Sequence, residues 1–336
     1  MNPSVKNTIE SSNIFGVAEE NFNSFALEVF HFQYENNLVY NKFCHVLKII
    51  PEQILHFKNI PFLPIQFFKS HQVKTTEFEP EVIFESSGTT QTIQSKHLVR
   101  FTNIYEKSFN KAFNQFYGQP SDWCIIALLP VYLERKNSSL VLMADKLIQQ
   151  SGHPASGFYL NDLEKLSTTL EMLEKQQTNT LLIGVTFALL DFAESFPKSL
   201  KYTTIMETGG MKGRREELTR TEVHQQLCNA FNLKNIHSEY GMTELLSQAY
   251  STGEGIFNCP PWMKILVREE DDPFAIHSQY EHQMQSGAIN IIDLANIYSC
   301  SFIATEDAGK IYSDGSFEIL GRLDNADIRG CSLLSL

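Results

Sequence analysis

Three segments carry side chains whose types and spacing suit nucleotide chemistry. Glu85-Ser86-Ser87-Gly88-Thr89-Thr90 offers four hydroxyls, a flexible glycine and successive backbone N–H groups, the parts of a phosphate cradle. An ordinary Ser/Thr turn has the same composition, and the Gly-x-x-x-x-Gly-Lys-Ser/Thr pattern of a P-loop is missing. In Ser238-Glu239-Tyr240-Gly241-Met242-Thr243-Glu244 the tyrosine could stack a purine, while Glu244, a hard oxygen ligand, could hold Mg²⁺ on phosphates. Taken singly, Tyr240 could equally be core and Glu244 a solvated charge. Thr305-Glu306-Asp307-Ala308-Gly309 leads to Leu320-Gly321-Arg322-Leu323-Asp324, an acid and a fixed cation for ribose hydroxyls and phosphate. Each segment is a modest signal alone; the three in this order are specific.

The elements that must position these residues follow from periodicity. Residues 22–58 place Phe25, Val29 and Phe32 at helical spacing, and Pro61-Phe62-Leu63-Pro64 must then be extended or turning. From about 80 to 240, short β-rich runs at 82–84, 124–129, 180–183, 203–206 and 234–237 alternate with helical patterns, predicting a mainly parallel sheet covered by helices. One helix is predicted to start at an Asn161 cap, with Glu164 three residues on and Leu163, Leu166, Leu170 and Leu173 on one face. A second carries Val223, Leu227 and Phe231, with His224 and Cys228 read as packing and surface. After 255 the texture turns to short strands, including 287–293, and a Ser313-Asp314-Gly315-Ser316 turn. The expected organisation is a mainly helical lead segment (1–80) packed on the main domain, an α/β core (81–254), a β-rich subdomain (255–322) and a C-terminal tail (323–336).

Composition narrows the function class. The 336 residues are 43% hydrophobic and 12% aromatic, which excludes a disordered chain. Lys+Arg 27 against Asp+Glu 39 gives a net charge of −12, so no general positive field for nucleic acid or anionic lipid exists and an anionic ligand must be held locally. Six cysteines without a Cys-x-x-Cys pair indicate neither a zinc site nor a disulfide framework. The longest apolar runs are too short to span a bilayer and the N-terminus lacks a signal core, so the expectation is a cytoplasmic protein.

Taken together, the segments resemble the adenylate-forming superfamily, which includes acyl- and aryl-CoA synthetases, luciferases and non-ribosomal adenylation domains. Ser86, Ser87, Gly88, Thr89 and Thr90 match its phosphate loop, and Tyr240, Gly241, Thr243 and Glu244 match its Tyr-Gly-x-Thr-Glu motif, with Glu239 just before it. The ribose-binding aspartate falls on Asp307, with Arg322 and hinge residue Asp324 following, and Gly209-Gly210 resembles the adenine-lining glycine pair. Within the superfamily the chain is most similar to the acyl-protein synthetases of bacterial bioluminescence, through Ile60-Pro61-Phe62-Leu63-Pro64, Phe68-Lys69, Gly209-Gly210-Met211-Lys212 and Arg329-Gly330-Cys331-Ser332-Leu333. In that family a cysteine close to the C-terminus accepts the acyl group, the place Cys331 occupies. There are departures. Gln91 replaces the loop's final glycine, Lys96 lies about two positions later than the loop lysine, and Glu306 replaces a glycine.

The resemblance implies a large adenylate-forming α/β domain with mainly parallel sheets and a β-rich closing subdomain, without the mobile C-terminal domain that carries a catalytic lysine in relatives. It implies ATP and Mg²⁺ as cofactors and a fatty or aryl carboxylic acid as substrate. The acid would be activated as an acyl-adenylate with pyrophosphate release, then transferred as a thioester. Glu244 is the expected metal ligand. Gly184-Val185-Thr186-Phe187 and Tyr132 could line the acyl pocket or be core or loop. Arg329 would favour the Cys331 thiolate, and the nine residues 323–331 could reach about 30 Å when extended, enough to swing Cys331 into the site. An acyl-reductase or acyl-carrier protein is an open partner. Alternatives are a compact CoA ligase of the phenylacetate type and a non-catalytic adenylate-binding module.

Overall fold

A computed structural model describes residues 13–86, 93–130, 137–160, 162–209, 218–269 and 284–323. Helices α1 (Glu19–Asn36) and α2 (Leu38–Val46) form the lead segment. They are two helices, not one, because Asn37 leaves the helical region and its side chain accepts from the Tyr40 N–H, capping α2. Phe25, Val29 and Phe32 are buried at the expected spacing. Strand β1 (Leu63–Pro64) and helix α3 (Phe67–Ser70) follow, then β2 (Val82–Glu85), β3 (Lys96–Val99) and α4 (Thr102–Tyr117).

The α/β region runs β4 (Cys124–Leu128), α5 (Ser139–Ser151), β5 (Gly157–Phe158), α6 (Leu163–Lys175), β6 (Thr180–Gly184), α7 (Thr186–Ser195), β7 (Thr203–Glu207), α8 (Arg220–Phe231), β8 (His237–Tyr240) and β9 (Ala249–Ser251). These strands form one sheet in the order β5-β4-β6-β7-β8-β9, parallel except for β9. All of β4 and β6 is buried, as continuous apolar strands covered on both faces must be. Leu166, Leu170 and Leu173 of α6 and Val223, Leu227 and Phe231 of α8 pack in one apolar cluster beside it.

The remaining strands β10 (Met263–Arg268), β11 (Met284–Asp293), β12 (Phe302–Tyr312) and β13 (Phe317–Arg322) form an antiparallel sheet to which β1 adds in parallel beside β12. The Ser313-Asp314-Gly315-Ser316 turn joins β12 to β13, with Gly315 at φ +86° where a left-handed residue is needed.

Three local expectations are corrected. Residues 82–84 are a strand but lie outside the parallel sheet, in an antiparallel hairpin with β3. The strand expected at 234–237 begins only at His237, since Lys234 and Asn235 are exposed and parallel pairing with β7 starts at Met206 and His237. The cap of α6 is Asp162, whose side chain accepts from the Lys165 N–H at 2.9 Å; Asn161 lies outside the described residues.

Candidate functional site

Strand β8 delivers its side chains alternately to two faces, and this sorts the candidates. Ser238 and Tyr240 point one way, toward α8 and the antiparallel sheet: the Ser238 hydroxyl lies 3.1 Å from His224 Nε2, and the Tyr240 ring packs on Phe257 and Phe317. The Tyr240 hydroxyl donates to Asp307 Oδ2 at 2.7 Å. Burial, and next the Asp307 charge, hold its phenol well above the usual range.

Asp307 pairs across the ladder with Arg322, whose Nε lies 3.7 Å from Oδ1. Burial pushes the aspartate up, and the Tyr240 bond and the Arg322 charge oppose that. Arg322 is 69% exposed in its side chain and Asp307 14%, so the carboxylate is held in the fold while the guanidinium stays available. An acceptor fixed by one donor and flanked by an exposed cation can take a pair of hydroxyls and face an anion.

Past Gly241 the chain turns. The Thr243 carbonyl accepts from His97, the Glu244 carbonyl accepts from Asn296 Nδ2 at 2.7 Å, and Asp293 accepts from the Leu246 N–H and the Ser247 hydroxyl. The Glu244 side chain is nearly buried; its carboxyl is raised by burial, an effect opposed by a Ser95 hydrogen bond and by the charges of Lys69 and Arg322. One carboxylate fits Mg²⁺, which takes one or two protein carboxylates and completes its shell with substrate phosphates and water, while the cations beside it suit the phosphates. Among the described residues no cluster of three or more His, Cys, Asp and Glu could hold a metal unaided.

Glu239 takes the other face of β8. It pairs across the ladder with Tyr250, and the charge of its carboxylate bears on Tyr105, Tyr117 and Tyr250. Its Oε1 lies against the Gly241 Cα, where a side chain would collide. Burial first and Glu207 second push it up to about 8. The structure therefore sets Glu239 apart from the Tyr240, Asp307 and Arg322 group.

At the ends of β6 and β7, Thr186 donates its hydroxyl to Glu207 Oε1, which also accepts from the Gly209 N–H at 2.7 Å. Gly209 sits at φ +72° and its carbonyl accepts from the Thr186 N–H. Val185 and Thr186 are both buried, Val185 in the apolar cluster. Glu207 was not singled out from sequence; its signal is a carboxylate closing a strand two residues before a glycine pair.

Of the phosphate loop, Ser86 is described: its hydroxyl accepts from the Ser95 N–H at 3.0 Å and its N–H donates to the Ser95 carbonyl, clamping the base of the loop. Ser87, Gly88, Thr89, Thr90, Tyr132, Gly210 and Cys331 lie outside the described residues, as do Gln91, Asp324 and Arg329. Lys96 is engaged by Glu85 at 3.4 Å. Lys69, quoted above only for family likeness, has its charge directed at Glu244. The segment that carries it is fixed to the site by backbone pairing of Ile65 with Ala304 and by Gln66 Nε2 donating to Glu306 at 2.6 Å. The described cysteines are free thiols, and burial raises Cys44 to about 12. No described helix is long and apolar enough to cross a membrane.

Among solved structures the chain is similar to a long-chain-fatty-acid-CoA ligase from Archaeoglobus fulgidus, with 17% identity, a TM-score of 0.48, and coverage of 72% of this chain and 51% of that one. It is also similar to an O-succinylbenzoate coenzyme A synthetase from Bacillus subtilis in complex with ATP and magnesium (16%, 0.45, 71% and 49%). A third is a luciferase-like enzyme from the mealworm Zophobas morio (16%, 0.44, 75% and 60%). The chain thus spans about half to three fifths of the length of these proteins. No curated protein sequence matches it. The family model "Acyl-protein synthetase, LuxE" matches residues 6–335, and the chain belongs to that family.

Proposed function

We propose that this protein activates a carboxylic acid, of the fatty class, with ATP and passes the acyl group to a protein cysteine. The observation that carries the reading is the convergence of Tyr240, Asp307 and Arg322 from two sheets, a fixed carboxylate for ribose hydroxyls beside an exposed guanidinium. Family membership supports the same reading.

A carboxylate oxygen attacks the α-phosphorus, pyrophosphate leaves, and an acyl-adenylate forms. A thiolate then attacks the acyl carbon and AMP departs, leaving a thioester. Asp307 binds the ribose and is oriented by the Tyr240 hydroxyl; Arg322 faces the phosphate; Ser86, with Ser87, Gly88, Thr89 and Thr90, supplies donors to the phosphates. Glu244, with the nucleotide's own phosphates, would hold Mg²⁺, which would supply charge neutralisation there. Gly209 and Gly210 border the adenine, and Val185, Thr186 and Tyr132 the acid. Cys331 is the proposed acceptor. An acyl-reductase or carrier protein is the proposed onward recipient, in cytoplasm.

Intact-mass analysis after incubation with ATP, Mg²⁺ and a panel of acids tests this. An acyl adduct that Cys331→Ser loses while keeping acid-dependent ATP–pyrophosphate exchange is expected. A CoA-dependent product without an adduct points to a CoA ligase, and tight nucleotide binding without exchange points to a binding module; either result rejects the proposal.

A further inference from the structure

The turn that presents Glu244 is held by side chains from two parts of the fold. Asn296 and Asp293 grip it from the antiparallel sheet and the 3-10 turn that follows β11. His97 grips it from the hairpin whose other strand runs into the phosphate loop, because His97 on β3 stands opposite Phe84 on β2.

His97 is completely buried, with its ring edge-on to Phe68 at 5.8 Å and to Phe84 at 6.4 Å. Its Nδ1 lies 2.9 Å from the Thr243 carbonyl oxygen. A carbonyl can only accept, so Nδ1 carries the proton and Nε2 is left as a bare lone pair. That nitrogen is buried without a hydrogen-bond partner among the described residues. An apolar side chain would strand no ring nitrogen, at the cost of the donor to the Thr243 carbonyl. The one bond that distinguishes histidine here is the one to Thr243.

We propose that His97 is a positioning residue that fixes the spacing between the phosphate loop's hairpin and the Thr243 and Glu244 turn, so that phosphate donors and the metal-binding carboxylate act on one nucleotide. This rests on the adenylating function proposed above. The Ser95 hydrogen bond to Glu244, two residues away on the same hairpin arm, links the same two elements. Burial holds the imidazole down to about 4, so the Nδ1 donor persists unchanged across neutral pH.

Three substitutions separate positioning from packing. His97→Asn places an amide nitrogen one bond beyond Cγ, where Nδ1 sits, and keeps a donor for Thr243. His97→Gln moves the amide to the Nε2 position, and His97→Leu fills space without a donor. Acid-dependent ATP–pyrophosphate exchange, its Mg²⁺ half-saturation and the calorimetric affinity for MgATP are measured for each, with melting temperature as a packing control. His97→Gln and His97→Leu should lose roughly tenfold or more in exchange rate, and need several-fold more Mg²⁺. His97→Asn should stay within about threefold of the parent on both. Equal losses in the Asn and Gln variants, losses that only follow melting temperature, or full exchange in all three would overturn the role. If the parent binds MgATP but shows no exchange, the proposed function falls, and the Mg²⁺ dependence of binding in the Asn and Gln variants still decides the role of His97. If the parent does not bind MgATP, both fall.

Discussion

Among the described residues, the hydroxyl of Tyr240 makes the one side-chain hydrogen bond that anchors Asp307, at 2.7 Å, and Tyr240 itself sits in a ring cluster with Phe257 and Phe317. Tyr240→Phe keeps the rings and removes the donor. The carboxylate then loses a bond worth about 1.5–3 kcal/mol to a charged group, and it is free to rotate toward Arg322. The expected result is a KM for ATP in pyrophosphate exchange raised roughly tenfold, with kcat little changed, because the ribose contact is made in ground and transition states alike. A KM equal to the parent's would remove Asp307 from nucleotide binding. Tyr240, Asp307 and Arg322 were singled out in sequence by type and order, but Tyr240 as a ring for a purine, whereas its ring packs on Phe257 and Phe317 and it is its hydroxyl that meets Asp307. Glu207 and His97 were not, since a lone carboxylate or a lone histidine acquires meaning only from the Thr186, Gly209 and Thr243 partners that folding brings to it.

At the scale of elements, the pattern of apolar runs identified strands without their partners. Residues 82–84 have the composition of any half-buried strand, and only the return of β3 along it makes an antiparallel hairpin. Strand β1 has two residues, too few for a period, yet its parallel pairing with β12 carries α3 and Lys69 to the site. That placement assigns the two lysines differently. Lys96 is drawn to Glu85, whereas the charge of Lys69 falls on Glu244. Lys69→Met should therefore lower kcat/KM for ATP about tenfold, a loss of roughly 1.4 kcal/mol, while Lys96→Met stays within about twofold because its exposed pair contributes little. The reverse ranking in an exchange assay would contradict the placement.

Across the whole molecule, a chain of net charge −12 buries carboxylates as well as exposing them, and the buried ones set how stability responds to pH. Glu239 is pushed up to about 8 from an ordinary 4.5 by burial and then by Glu207, and Asp293 up to about 6 from 3.8 by burial. A carboxyl whose folded pKa is raised binds its proton more tightly folded than unfolded. Its contribution is full below the unfolded pKa and is lost as pH rises through the folded one. His97, lowered from 6.5 to about 4, acts in the opposite sense and costs stability as pH falls from 6.5 toward 4. Between about pH 5 and 6.5 the Glu239 and His97 effects nearly cancel, and above 6.5 Glu239 acts alone of the two. Denaturant unfolding should show a decline carried by Asp293 up to about pH 6 and, above 6.5, a decline carried by Glu239. Glu239→Gln keeps shape and hydrogen-bonding capacity but cannot ionise, so it should abolish that decline, with a difference from the parent that grows by about 3 kcal/mol from pH 5 to 8. A variant whose stability runs parallel to the parent's over this range would show that Glu239 keeps an ordinary pKa. Because Glu239 lies on the face of β8 opposite Tyr240, the same variant should retain its affinity for ATP, which separates the half-buried acid that tunes the fold from the carboxylates that serve the nucleotide.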